Sequence, residues 1–301
     1  MSEIDLSVNA DNEFVRPNLE RSLVEGRAIK NNLLTGLTWI AAVLAAIPLF
    51  SVIYMLLVRG GTRLFGADFV EVLTELPPAG FEMGGGIGPA IVGTLVMVGI
   101  AAAITIPFGI LAAIYLAMLD PGSKIAVTSR FLSKVLTGFP SILAGVFIYA
   151  VLVISFGYSA LAGGVALAVL MLPTVVLAAE EAIKQVPQRM KDAAYGMGCT
   201  RTQVIWKVVL PTGLPGILTG VMLAIAGAAG ESAPLLFTAL FSNYYLSELA
   251  EPTASLSILI YNFSGMPFEN QIELAWTASL VLVLIVLVFN ILARVFGQPK
   301  V

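Results

Sequence analysis

The chain has 301 residues, 58% hydrophobic and only 12% charged, with a mean hydropathy of +0.94 and a formal net charge of −3. Soluble globular domains do not reach this apolar content, so the composition points to an all-α polytopic membrane protein whose first partner is the lipid bilayer. With one cysteine, Cys199, and no histidine, a disulfide framework and a His/Cys metal site are excluded.

Residues 1–32 are too polar to cross a bilayer, carrying Arg16, Arg21, Arg27 and Lys30 among six acidic residues, and are expected to form a cytoplasmic N-terminal tail with no signal peptide. The transmembrane domain follows over 33–300. Six runs are near the about 20 apolar residues that a spanning helix needs: roughly 33–58, 86–118, 135–156, 161–182, 212–240 and 274–295. Drawn this way, 14 of the 16 Lys and Arg fall on one side of the membrane, leaving only Arg59 and Arg63 opposite. The positive-inside rule then puts both termini and the loop at about 187–211 in the cytoplasm. The opposite face is acidic, with Asp68, Glu71, Glu75 and Glu82 in one loop and Glu248, Glu251, Glu269 and Glu273 in another.

No G-x-x-x-x-G-K-[ST] run is present to cradle nucleotide phosphates, and there are no paired acids for acid/base chemistry. The chain is therefore expected to be a transport subunit rather than an enzyme, with no cofactor, no metal and no nucleic-acid partner. Any energy must come from a partner and enter through a docking element. The 192–211 segment, DAAYGMGCTRTQVIWKVVLP, suits that task as a short helix across Arg189 to Met197. In this reading Asp192 caps or favours the positive N-terminal end of the helix, Ala193 and Ala194 permit close approach to a groove, Gly198 allows a sharp turn at the helix end, and Leu210-Pro211 ends the segment at the membrane surface.

The spacing Asp192-Ala193-Ala194, three residues, Gly198, nine residues, Val208-x-Leu210-Pro211 resembles the EAA loop of ABC importer permeases, with Asp for the usual Glu and Val for the usual Ile. The runs GGGIGPAIVGTL at 84–95, TGFPSILAGVF at 137–147, LPTVVLAAEEAIKQVP at 172–187 and GLPGILTGVMLAIAGAAGESAPLLFTAL at 213–240 are similar to permeases of the phosphate-specific (Pst) importers, the last being closer to the PstA type. The resemblance covers about 84–241. It implies the type I (MetI-like) fold, a heterodimer with a second permease subunit, two ATP-binding subunits, an extracytoplasmic phosphate-binding protein and the inner membrane of a prokaryote. Family members often have Arg where this chain has Leu177 and Gly227.

Glu231 lies between Gly230 and Ser232 in the fifth apolar run, where a carboxylate costs several kcal/mol unless paired, hydrated or protonated. Two roles are open to it. As part of a substrate path it accepts hydrogen bonds from the P–OH groups of phosphate, which sulfate lacks; as a structural acid it bonds neighbouring backbone or a partner subunit. The small residues at 224–230 fit either close helix packing or an unwound turn beside a cavity. Pro140 and Ser141 likewise fit a helix opening onto the path or a simple kink. Glu180 and Glu181 are expected to form a solvated interfacial pair with Lys184. The alternatives are a permease for another oxyanion, such as sulfate or molybdate, and a channel or secondary carrier, which needs no docking loop.

Overall fold

The computed structural model describes residues 26–296, so residues 1–25 of the expected 1–32 tail and the last five residues lie outside it. Of the described residues, 26–53 form one unit, and they belong to a single helix, α1 (Gly26–Met55). None of its most apolar window is buried, as suits a helix whose solvent is lipid.

The second unit holds the rest. Its principal helices are α2 (Gly88–Ile114, extended by a π turn to Leu119), α3 (Lys124–Thr137), α4 (Ser141–Ile148, continuing to Phe156) and α5 (Ala160–Gln185). After these come α6 (Gln188–Gly196), α7 (Arg201–Val204), α8 (Leu210–Gly230), α9 (Ala233–Thr238), α10 (Leu256–Ser264) and α11 (Glu269–Phe296). Among the described residues five helical stretches are long and apolar enough to cross a membrane, and a sixth candidate is the pair α3 and α4, bent by 105°.

That bend corrects the expectation of one straight span over 135–156. Pro140 has no N–H and disfavours helix in the residue before it, so α3 stops at Thr137 and a new helix begins at Ser141. The expected span at 212–240 is also broken, because α8 ends at Gly230 and Glu231 is extended, with ψ of 123°. Conversely, Leu210-Pro211 does not end a segment: α7 and α8 run as one continuous helix from Arg201 to Gly230. A π turn at Ile205–Val209 widens the backbone at Lys207, the residue whose carbonyl the Pro211 ring would otherwise strike.

Serines and threonines start several helices by accepting orphan backbone N–H groups. Ser123 Oγ takes Ala126 N–H at 3.1 Å, Ser159 takes Ala162 N–H at 3.1 Å and Ser255 takes Ile258 N–H at 3.1 Å. The core sits among α2, α5 and α8, through Met97, Ala101, Leu167, Met171, Val175, Ile217 and Val221.

Small residues make this packing possible, since burial from water does not drive helices together inside lipid. A Cβ on Gly164 of α5 would stand 2.6 Å from Ile100 Cγ2 of α2, and Gly220 of α8 is pressed against Ala178 of α5. Gly164→Leu is therefore expected to destabilise the bundle by about 1–3 kcal/mol, read as a lower thermal midpoint in detergent. A midpoint equal to that of the unaltered chain would mean that the α2–α5 packing is looser than described.

Candidate functional site

The two interrupted helices meet. Gly145 of α4 lies so close to α9 that a Cβ there would stand 2.6 Å from Pro234 Cα. Beside this crossing is a cavity of about 290 Å³, lined by Leu136, Thr137, Phe139 and Ser141 at the first break. Leu170, Met171 and Thr174 of α5 form a second wall, and Leu223, Ala224, Gly227, Ala228 and Glu231 complete it from the end of α8.

The structure thus brings together Glu231 and Ser141, 90 residues apart in sequence. Pro140 and Ser232 adjoin the lining without forming it, and Gly230 is exposed. Pro140 stands at the N-cap of α4, where its fixed φ of −58° suits a helix start and leaves the first N–H groups of α4 beside Ser141. Glu231 caps α8, and its own backbone is occupied: N–H to Ala228 O at 3.2 Å, and C=O accepting from Ser257 Oγ at 2.9 Å. Among the described residues its carboxylate has no hydrogen-bond or ion-pair partner.

Apart from Glu231, the polar side chains of the lining are the hydroxyls of Thr137, Ser141 and Thr174, and no Lys or Arg is included. A Cβ on Gly227 would meet nothing within 4 Å, so the missing arginine leaves open space one turn from Glu231. The Thr137 hydroxyl already donates within its own helix, to Ser133 O at 3.0 Å and Lys134 O at 2.9 Å, so chemically the cavity offers a carboxylate acceptor for P–OH groups, two neutral donors in Ser141 and Thr174, and the oxygen of Thr137 as a second acceptor.

The second predicted site is α6, the short helix that joins α5 to α7. Its end forms a Schellman motif. Cys199 N–H bonds Ala194 O at 3.1 Å, Gly198 N–H bonds Tyr195 O at 2.9 Å, and Gly198 takes φ of +82°, a conformation that costs residues other than glycine. Directly afterwards Thr200 and Gln203 make a capping box for α7. Asp192 does not cap the N-terminus of α6, which starts earlier, behind Pro187; Asp192 is its fifth residue and accepts from Gln188 Nε2 at 2.8 Å. Ala194 is buried while Asp192 and Ala193 are exposed, so α6 is anchored by one face and presents another.

Residues 105–298 match the family described as "Binding-protein-dependent transport system inner membrane component". The chain belongs to that family. Its relatives include the "Phosphate transport system permease protein PstA" of Pasteurella multocida, 37% identical over 275 residues, 91% of this chain and 96% of that one. The "Probable phosphate transport system permease protein PstA" of Methanocaldococcus jannaschii is 38% identical over 264 residues, covering 87% and 91%. Two solved structures share the fold at low identity. The bacterial alginate ABC transporter gives a TM-score of 0.62 at 14% identity, over 93% of this chain and 100% of that one. The inward-facing MetNI methionine ABC transporter gives 0.57 at 18%, over 77% and 97%.

In this transport-system permease the acidic pair of α5 departs from expectation. Glu180 is not solvated, its side chain being 4% exposed; it takes Arg130 Nε at 2.5 Å and Lys184 Nζ at 2.6 Å. Glu181 is exposed. Burial turns a surface pair into a three-membered cluster because α3, which carries Arg130 and ends at the 105° bend, packs against α5. Thr174 and Thr137 also escape notice in the sequence. The only signal that marks them is a hydroxyl in an apolar run, next to Pro173 in one case and Gly138 in the other.

Proposed function

We propose that this chain is the permease subunit of an ATP-driven phosphate importer, forming the translocation path with a second permease subunit. The observation that carries the reading is the likeness to phosphate transport permeases along about nine-tenths of the chain. In this scheme the basic loops, both termini and the 1–32 tail are cytoplasmic, and 33–300 is the transmembrane domain in the inner membrane of a prokaryote.

The complex holds two ATP-binding subunits, and this chain couples to an ATPase through the loop formed by Asp192, Ala193, Ala194 and Gly198, which Leu210 and Pro211 follow into the membrane helix. An extracytoplasmic phosphate-binding protein delivers phosphate to the opposite face. Phosphate then passes the cavity, where Ser141 and Thr174 donate to its oxygens, and the Glu231 carboxylate and the Thr137 oxygen accept from its P–OH. Pro140, Gly230 and Ser232 hold the two helix breaks on either side. With no cation in the wall the site is weak, as a conducting path requires: an anion must be able to leave as readily as it enters. Charge attraction then falls to the second permease.

A strain lacking only this subunit tests the reading through uptake of radiolabelled phosphate and sulfate. Phosphate uptake is expected to be lost and sulfate uptake kept. Lost sulfate uptake with phosphate unaffected would replace phosphate by another oxyanion.

A further inference from the structure

Arg130 has a reach that charge balance does not explain. Lys184 already sits 2.6 Å from Glu180 on the same helix, so the buried carboxylate has a cation without any help from α3. Arg130 spends its remaining donors elsewhere. Nη1 bonds Pro121 O at 2.8 Å, and Nη2 bonds Leu116 O in the π turn that ends the Gly88–Leu119 helix. One guanidinium therefore ties α3, α5 and the carbonyl end of that helix. Arg201, the first residue of α7 after the α6 loop, bonds Met118 O and Leu119 O at the same end. The last carbonyls of a helix lack internal partners and carry partial negative charge, so two guanidinium groups suit them well.

The tie lies between the loop and the cavity. The elements on either side of α6 are α5 and the continuous α7–α8 helix, and both line the cavity through Thr174 and Gly227. The third wall belongs to the end of α3, where Thr137 stands seven residues beyond Arg130, about 10 Å along a helix. Without Arg130, α3 would still follow α2 in the chain but would lose its charged anchor to the helix next to the loop.

We propose that Arg130 is a positioning residue of the coupling step: with Arg201 it clamps the end of the Gly88–Leu119 helix, so that α3, α5 and the α6 loop move as one body and ATPase-driven motion reaches the Thr137 wall of the cavity. This rests on the reading of α6 as the ATPase dock. Lysine cannot replace the fork, because an ammonium is a point donor that does not span three elements in a plane. Replacing the buried pair by apolar groups of similar size tends to preserve folding.

The test uses the complete complex in proteoliposomes with phosphate-loaded binding protein, and reads ATP hydrolysed per phosphate imported. Arg130→Lys and the double variant Arg130→Met with Glu180→Leu are expected to raise that ratio by about fivefold or more, with complex yield and ATPase rate close to those of the unaltered complex. An unchanged ratio in both variants overturns the proposal. So does a proportional fall of transport and ATPase, or loss of assembly in both, since each marks a purely structural role. If the unaltered complex imports sulfate instead of phosphate, the substrate reading fails, and the same ratio taken on sulfate still judges Arg130.

Discussion

Gly198→Val is expected to leave the protein in the membrane and to cut phosphate uptake by tenfold or more. The glycine holds φ of +82° at the end of α6 with nothing within 4 Å of a would-be Cβ, so space is not the obstacle. The backbone is. A β-branched residue held in the left-handed region costs about 1–3 kcal/mol, and the chain relieves that strain by giving up the paired bonds to Ala194 and Tyr195 carbonyls. The end of α6 then unwinds toward Thr200, and the exposed face that we propose as the dock loses its fixed angle to the α7–α8 helix. A loss of about 2 kcal/mol in a docking equilibrium corresponds to roughly 30-fold. The measurement is phosphate uptake set against the amount of protein in the membrane. Gly198→Ala, which avoids branching, is expected to fall between; full uptake by both variants would remove the loop from energy coupling.

The second large effect belongs to the carboxylate in the cavity. Glu231→Gln keeps the size of the side chain but exchanges the carboxyl for an amide, and hydrogen bonds to a charged group such as the phosphate anion contribute about 1.5–3 kcal/mol. Uptake of phosphate is expected to fall by about tenfold to a hundredfold, since each 1.4 kcal/mol is a factor of ten. Protein abundance should hold, because the folding contacts of this residue run through its backbone, to Ala228 and Ser257. Discrimination supplies a sharper readout. Glutamine offers N–H donors as well as an acceptor, so residual transport should distinguish protonated from unprotonated oxyanions less well. Unchanged uptake would take Glu231 out of the mechanism.

Much of this architecture is legible in the sequence because apolar length is a strong signal in membranes. The runs at 86–118, 161–182 and 274–295 lie within or closely overlap the helical stretches Gly88–Leu119, Ala160–Gln185 and Glu269–Leu292. The breaks are less legible, for a physical reason. Hydropathy averages over about 20 residues, whereas a turn of backbone redirects the chain in three. Gly138-Phe139-Pro140 and Gly230-Glu231-Ser232 are each short enough to disappear in that average, although Pro140 and Pro234 mark the helix starts that follow.

The site divides the same way. Gly198 can be picked out by spacing alone, as can the loop around it, because a helix-ending glycine is a local requirement. Asp192 does not sit at the cap because α6 starts at Gln188, directly after Pro187 and one residue ahead of the expected Arg189, which makes Asp192 its fifth residue. The union of Glu231 with Ser141, Thr137 and Thr174 depends on three helices meeting, and the link from Arg130 to Glu180 crosses 50 residues. No pattern along one chain encodes such a meeting.

The crossing of Gly145 and Pro234 has a mechanical consequence. Backbone meets backbone there, with no side-chain layer to compress. Ser141 stands four residues before that point on one side, and Glu231 three residues before it on the other. Displacing either rim of the cavity therefore drags its opposite along, so the two rims act as one hinged lip rather than as two independent shutters.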